Sequence, residues 1–380
     1  MMVGEALLDA YINANILFCV AFVLWFLIRG AMSRIGLKHA YTTQLSLLNA
    51  GFVAIISAPL LAAGFGFLQG TGVAKGVNVN LSDMVVSYYL NGGFEMKASD
   101  FEGLILMRDK FILSVMSAEG AFAKAVIAMF VMGVSLGLLR LGYSIYCLWR
   151  LVADSYDVRR FGRIRIRMSD RTLVPFSTRG FRNYYVVLPS HMLGQHEELK
   201  VSIAHEFQHI RQSDLEWEVV LEALKPLFFL NPAYHAWKRQ VEHLRELSCD
   251  SQVISHGRID VRDYCGTLLA VCQQTLRRDR AFYTAIPKVT LVTADRTSMK
   301  LGKSLLERRI LSVLSGRRVR HKRLVFMTAA VPLMAALVFA SVAIQRPGDW
   351  SHDRLMLSTV VNLDRLDEIN RLSAFGRVRN

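Results

Sequence analysis

Charge and cysteine are scarce in this 380-residue chain. Asp, Glu, Lys and Arg make up only 20% of it, against 52% hydrophobic residues and a mean hydropathy of +0.29. That balance excludes a disordered chain and is unusual for a wholly soluble one. The five cysteines, Cys19, Cys147, Cys249, Cys265 and Cys272, have no paired spacing, which argues against a disulfide scaffold or a thiolate zinc cluster. Internal repeats and low-complexity runs are also missing. The leading residues hold Glu5 and Asp9 but no Lys or Arg, the reverse of a signal peptide. The first apolar stretch therefore reads as a retained helix with its N-terminus outside.

What the chain does have is four long apolar stretches. They predict transmembrane helices at about 7–28, 43–68, 120–148 and 323–345, since some 20 apolar residues are needed to cross the hydrocarbon core. Asn13 and Asn15 dilute the first, and Arg140 interrupts the third, where it is expected to snorkel toward an interface. The net charge of +15 is concentrated: Trp149 to Arg323 holds 31 Lys and Arg against 18 Asp and Glu. Basic segments stay inside, so the expected layout is a membrane region 1–148 with an external loop 70–118, a cytoplasmic domain 149–322, the fourth helix, and a short external tail 346–380. Retention by the positive-inside rule accounts for the basic pI, so no nucleic-acid partner is needed. The lipid bilayer is the expected partner, in a multi-pass protein of a bacterial-type inner membrane.

Within 149–322, Arg163 to Met168 alternates with period two, putting Ile164, Ile166 and Met168 on one strand face. Arg163, Arg165 and Arg167 on the other face are expected to be solvated or near headgroups. Tyr184 to Leu188 is a second strand. A helical pattern follows, with Leu199, Ile203, Phe207 and Ile210 three and four apart. Asn231-Pro232 reads as an N-cap with Pro at the first helical position, opening a helix with Trp237, Val241 and Leu244 on one side. A small sheet followed by helices is an α+β domain. Leu227 to Leu230 is an apolar run expected in the core, with contact to a leaflet as the alternative.

The chemistry lies in His205-Glu206-Phe207-Gln208-His209. Two imidazoles four residues apart share a helix face and can reach one Zn2+ ion at about 2.0–2.1 Å. Glu206 beside them can move protons as the catalytic base. A third ligand is required. The metzincin extension is absent, since 212–218 has no His. Spacing offers Glu246, with Asp250 one turn on as a carboxylate orienting one histidine; His243 and His235 compete for the ligand role. Cys249 reads as a small buried filler.

These residues also carry a likeness. His205 to His209, Asn231-Pro232 with His235, and Glu246-Leu247-Ser248-Cys249-Asp250 together resemble the BlaR/MecR-type membrane zinc metallopeptidases, gluzincin-like antirepressor proteases of β-lactam sensing. Pro175-Phe176 and Tyr184 to Pro189 resemble the segment before the family's zinc helix. The resemblance implies a zincin-like domain, His205, His209 and Glu246 as ligands, and Glu206 as base. Only about 35 residues follow Arg346 and none forms Ser-x-x-Lys. The penicillin-binding sensor domain is therefore not expected here, nor is β-lactam binding.

The function implied is a zinc-dependent endopeptidase in signal transduction, cleaving a cytoplasmic regulator such as a repressor, and possibly itself. Its alternatives are a quality-control protease for membrane proteins and a non-catalytic signalling scaffold with structural zinc. Substrate is expected to bind as an added β-strand, with Tyr184, Tyr185, Val186, Val187 and Leu188 as the candidate edge.

Overall fold

The computed structural model describes residues 2–71, 80–93, 95–118, 120–257, 259–277, 305–315, 321–345 and 352–377. Parts of the expected external loop (72–79 and 94), of the expected cytoplasmic domain (278–304, 316–320) and of the expected tail (346–351, 378–380) lie outside the described residues. The protein is an α+β membrane protein. Four helices are long and apolar enough to cross a bilayer: α1 (Met2–Arg34), α2 (Tyr41–Gly70), α6 (Gly120–Ala153) and α12 (Lys322–Ala343). The chain divides into two units, Met1–Leu24 with Gly51–Val131 and Val331–Asn380, and Trp25–Ala50 with Met132–Ala330.

In the first unit, the expected external loop forms three helices, α3 (Leu81–Leu90), α4 (Ala98–Ile105) and α5 (Met107–Ser117), and the tail forms α13 (His352–Arg377). Val86, Ala98, Phe101, Leu357 and Val361 make a small core among α3, α4 and α13, with Tyr89 stacked on Phe101 at 4.0 Å. The polar residues that dilute the first apolar stretch have partners here. Arg108 of α5 pairs with Asp9 and donates to the Asn13 side chain at 2.8 Å, so these half-buried polar groups satisfy one another in an apolar setting.

The second unit holds a four-stranded sheet in the order β1 (Tyr156–Phe161), β2 (Ile164–Ser169), β4 (Tyr184–Pro189), β3 (Phe176–Arg179). β1–β2 and β3–β4 are antiparallel, while β2–β4 is parallel. Tyr184 to Leu188 thus lies between two partners. Its backbone groups are spent on both sides, and the expectation of a free edge there is wrong. The sheet's edges are β1 and β3, two short strands without a strong alternating pattern.

One sheet face, Ile164, Ile166, Met168, Val186 and Leu188, packs on Leu199, Ile203, Phe207 and Ile210 of α7 (His196–Arg211). The other, Tyr185 and Val187 with Phe176 of β3, meets Leu148, Leu151 and Val152 at the end of α6. Val186, Val187 and Leu188 are wholly buried, each worth about 1.5–3 kcal/mol of burial. After α7 come α8 (Asp214–Leu224), α9 (Pro232–Ser255), α10 (Val261–Arg277) and α11 (Leu305–Ser315). Asn231 caps α9, its Oδ1 accepting from the backbone N–H groups of Ala233 and Tyr234 at 3.0 and 3.3 Å. Trp237, Val241 and Leu244 bury one face of α9. The same helix is tied to two apolar helices. Arg29, near the end of α1, donates to Gln240 at 2.6 Å, and Thr42, at the start of α2, accepts from Ser248 at 3.2 Å and Gln252 at 3.4 Å.

Candidate metal centre

α7 has two working faces. Its Leu199–Ile203–Phe207–Ile210 stripe is fixed on the sheet, so the face carrying His205 and His209 must turn toward α9. Both histidines, Glu206 and Glu246 are buried. The two Nε2 atoms lie 3.2 Å apart. The Glu246 carboxylate oxygens lie 3.5 Å from His205 Nε2 and 3.7 Å from His209 Nε2. A tetrahedral ion with bonds of about 2.0–2.1 Å holds its ligand atoms about 3.3–3.4 Å apart. The two imidazole nitrogens therefore stand at nearly the edge length of one coordination tetrahedron, with one oxygen of the Glu246 carboxylate near each.

The other ring nitrogens are occupied. His209 Nδ1 is 2.8 Å from Asp214, the first residue of α8. His205 Nδ1 is 2.9 Å from the Tyr264 hydroxyl, which donates to Asp250 at 2.6 Å. Asp250 itself stands 3.6 Å from His205 Nδ1, so it reaches the ring through Tyr264. With Nδ1 held on both rings, the Nε2 lone pairs face the common point. Cys249 Sγ also lies within 4.8 Å of donor atoms of both rings, a His-His-Cys group that could bind a metal. Its closest approach is 3.4 Å to His205 Nδ1, the nitrogen already bonded to Tyr264. The Nε2–Nε2–carboxylate group shares both histidines with it and lies on the other ring nitrogens. Cys249 otherwise fills a core with Val201, Val253 and Tyr264.

Arg309 of α11 covers the carboxylates. It grips Asp250 at 2.7 and 2.8 Å and reaches Glu246 at 3.1 Å. Burial alone would raise the Glu246 pKa, but Arg309 and the two histidines hold it far below the usual carboxylate range. Burial would likewise lower His205, yet Cys249 and Glu246 beside it lift it to about 10. Both shifts have one origin, opposite charges held against each other out of water. Glu206 Oε1 is buried and has no hydrogen-bond partner among the described residues. It opens, with His205, Tyr264, Arg309 and Pro175, onto a cleft of about 30 Å3, room for roughly two water molecules.

The other histidines lie elsewhere. His235 Nε2 bonds the Phe229 carbonyl at 3.0 Å. His243 is pushed down to about 4, first by burial and then by Arg308 and Arg29, a setting that repels a cation. A second acidic group, Glu218, Glu222 and Glu242, already surrounds the Lys238 ammonium, 3.3 Å from Glu218 and 2.8 Å from Glu222.

The chain matches the family profile described as BlaR1 peptidase M56 over residues 6–289. It belongs to the M56 peptidase family. No curated protein matches it by sequence. The match covers α1 through α10 of this M56 peptidase and stops short of Arg309. Asp214, Tyr264 and Arg309 are the residues that sequence reasoning missed. Asp214 left a signal, as the first carboxylate after the zinc motif, folded back by the left-handed turn at Ser213 (φ 58°). Tyr264 and Arg309 stand on separate helices at no fixed spacing from any motif.

Proposed function

We propose that this M56 peptidase is a zinc-dependent endopeptidase whose active site faces the cytoplasm and whose substrate is a regulatory protein. The observation that carries the reading is the convergence of His205 Nε2, His209 Nε2 and the Glu246 carboxylate at 3.2–3.7 Å beside a buried, unbonded Glu206 oxygen. Those three residues fit Zn2+ as its protein ligands. When bound, zinc supplies Lewis-acid polarisation of the scissile carbonyl and acidifies water. Glu206 takes the proton of the attacking water at Oε1 and returns it to the departing amine. Asp214 and Tyr264 hold the two imidazoles in the tautomer that presents Nε2. A purely structural zinc site has no use for a buried base, which favours catalysis over a scaffold role.

The cytoplasmic assignment rests on the basic excess of Trp149 to Arg323. The substrate strand is reassigned from Tyr184–Leu188 to β3. Its outer edge carries no strand among the described residues, and Pro175, just before it, lines the cleft with Glu206. Glu206→Gln tests the reading: new protein N-termini seen with the wild-type chain should vanish in the variant, while bound zinc measured by elemental analysis stays at one ion per chain. Unchanged cleavage in the variant refutes the assignment of the base.

A further inference from the structure

The turn joining α8 to α9 is an apolar run, Pro226-Leu227-Phe228-Phe229-Leu230, that the metal site does not explain. It packs on α6. A Cβ placed on Gly133 would stand 2.2 Å from the Phe229 ring, and one on Gly137 would stand 2.9 Å from Pro226. Two glycines four apart thus form a notch in a span helix, and the turn fills it. Exposed Tyr143, Tyr146 and Trp149 on the same helix form an aromatic belt of the kind that marks a membrane surface. Gly133 precedes Tyr143 by ten residues, about 15 Å at 1.5 Å per residue. Arg140 lies between, with a side chain long enough to reach the surface.

The charges around the turn obey the same logic. Every carboxylate of α8 points to a partner: Asp214 to His209, Glu216 to Arg179 at 3.0 Å, Glu218 to Lys238 and Arg245, and Glu222 to Lys238. Val219, Val220, Leu227 and Leu230 are turned outward and exposed. Glutamates that are part-buried and all paired, beside apolar groups turned outward, are unusual for a water-facing helix. The backbone of the turn is bonded internally as well. Leu227 and Phe228 N–H donate to the Leu224 carbonyl at 3.0 and 3.2 Å, and Asn231 N–H donates to the Phe228 carbonyl at 3.0 Å. The Tyr234 hydroxyl donates to the Leu221 carbonyl, and His235 Nε2 stands at the Phe229 carbonyl. Internal pairing of irregular backbone is what an environment without water demands.

We infer that the α8–α9 turn is a re-entrant element, dipping into one leaflet beside α6 with Leu227 and Leu230 against lipid acyl chains. It is clipped shut by Asn231 and His235. This rests on packing and bonding alone and stands whether or not the metal reading does.

The test is photocrosslinking of the full chain in phosphatidylcholine vesicles that carry an acyl-chain diazirine lipid, with adducts mapped by mass spectrometry. Adducts are expected on residues 226–230 at a yield within about threefold of those on outward Leu136 and Leu139 of α6, and none on Glu197 to Lys200 of α7. Adducts on α6 with none on 226–230 overturn the inference. In Gly133→Leu, which fills the notch, the 226–230 adducts should fall at least threefold while those on Leu139 persist. Unchanged 226–230 adducts in that variant overturn the seat on α6.

Discussion

Asp214 offers the sharpest test of how the centre is built. It touches no expected ligand atom at the metal, yet its Oδ2 sits 2.8 Å from His209 Nδ1, and both groups are buried. Removing it frees the imidazole to rotate and to place its proton on Nε2, where it blocks coordination. Loss of such a supporting carboxylate typically weakens metal binding 10–100-fold, or about 1.4–2.7 kcal/mol at 1.4 kcal/mol per decade. Asp214→Ala should therefore raise the zinc Kd by that factor, read by competition with a chromophoric chelator on purified protein. Asp214→Asn keeps an oxygen acceptor at the same place and should lose clearly less. Asp214 is also the first residue of α8, so its charge favours that helix by about 0.3–1 kcal/mol. Comparing the two variants separates the effects, because both lose the charge and only Ala loses the acceptor. An Asp214→Ala protein that binds zinc within twofold of wild type would falsify the tautomer argument.

Further outcomes follow from the same contacts. Glu246→Gln should release zinc under dialysis that leaves Glu206→Gln fully loaded, checked by elemental analysis of both. Lys238→Met leaves Glu242 without its ammonium, Glu218 with Arg245 and Glu222 with Lys225, and should destabilise the fold by about 1.5–3 kcal/mol for lost charged hydrogen bonds, seen as a lower thermal midpoint. His243 has a folded pKa of about 4 against an ordinary 6.5, so the unfolded chain takes up its proton first as pH falls. Stability tied to this group is complete above pH 6.5 and is lost between 6.5 and 4, by up to roughly 3 kcal/mol. His243→Gln should flatten thermal midpoints across that window, and an unchanged slope would count against the buried, guanidinium-flanked setting.

Much of the frame could be read from residues alone because its signals are local. A helix that crosses lipid must be apolar along its whole length, and α1, α2, α6 and α12 follow the four apolar stretches. Alternation exposed β2, and the spacing of Leu199, Ile203, Phe207 and Ile210 gave both α7 and the face it buries. Asn231-Pro232 marked the start of α9 through cap chemistry. Long-range pairing left no such trace. β1 is exposed along its length and β3 spans four residues, so neither shows a buried face in sequence. Without them Tyr184–Leu188 looked like an edge. The histidine pair was legible by helix geometry, whereas spacing offered Glu246 beside His243 and His235 and the family resemblance singled it out. Tyr264 and Arg309 were not, because a hydroxyl and a guanidinium arriving from α10 and α11 depend on tertiary packing.

One further consequence lies in the two hydrogen-bonded links from α9 to α1 and α2. Gln240 stands six residues before Glu246 and Ser248 two after it, so the carboxylate sits on the stretch of helix between two anchors. His205 and His209 ride on a different helix, seated on the sheet. The same anchors also grip that helix, for Gln252 accepts from Gln208 at 2.7 Å and Ser248 donates to Gln212 at 3.1 Å. The ends of α1 and α2, α9 and the histidine helix are thus cross-braced through Gln240, Thr42, Ser248 and Gln252 into one block.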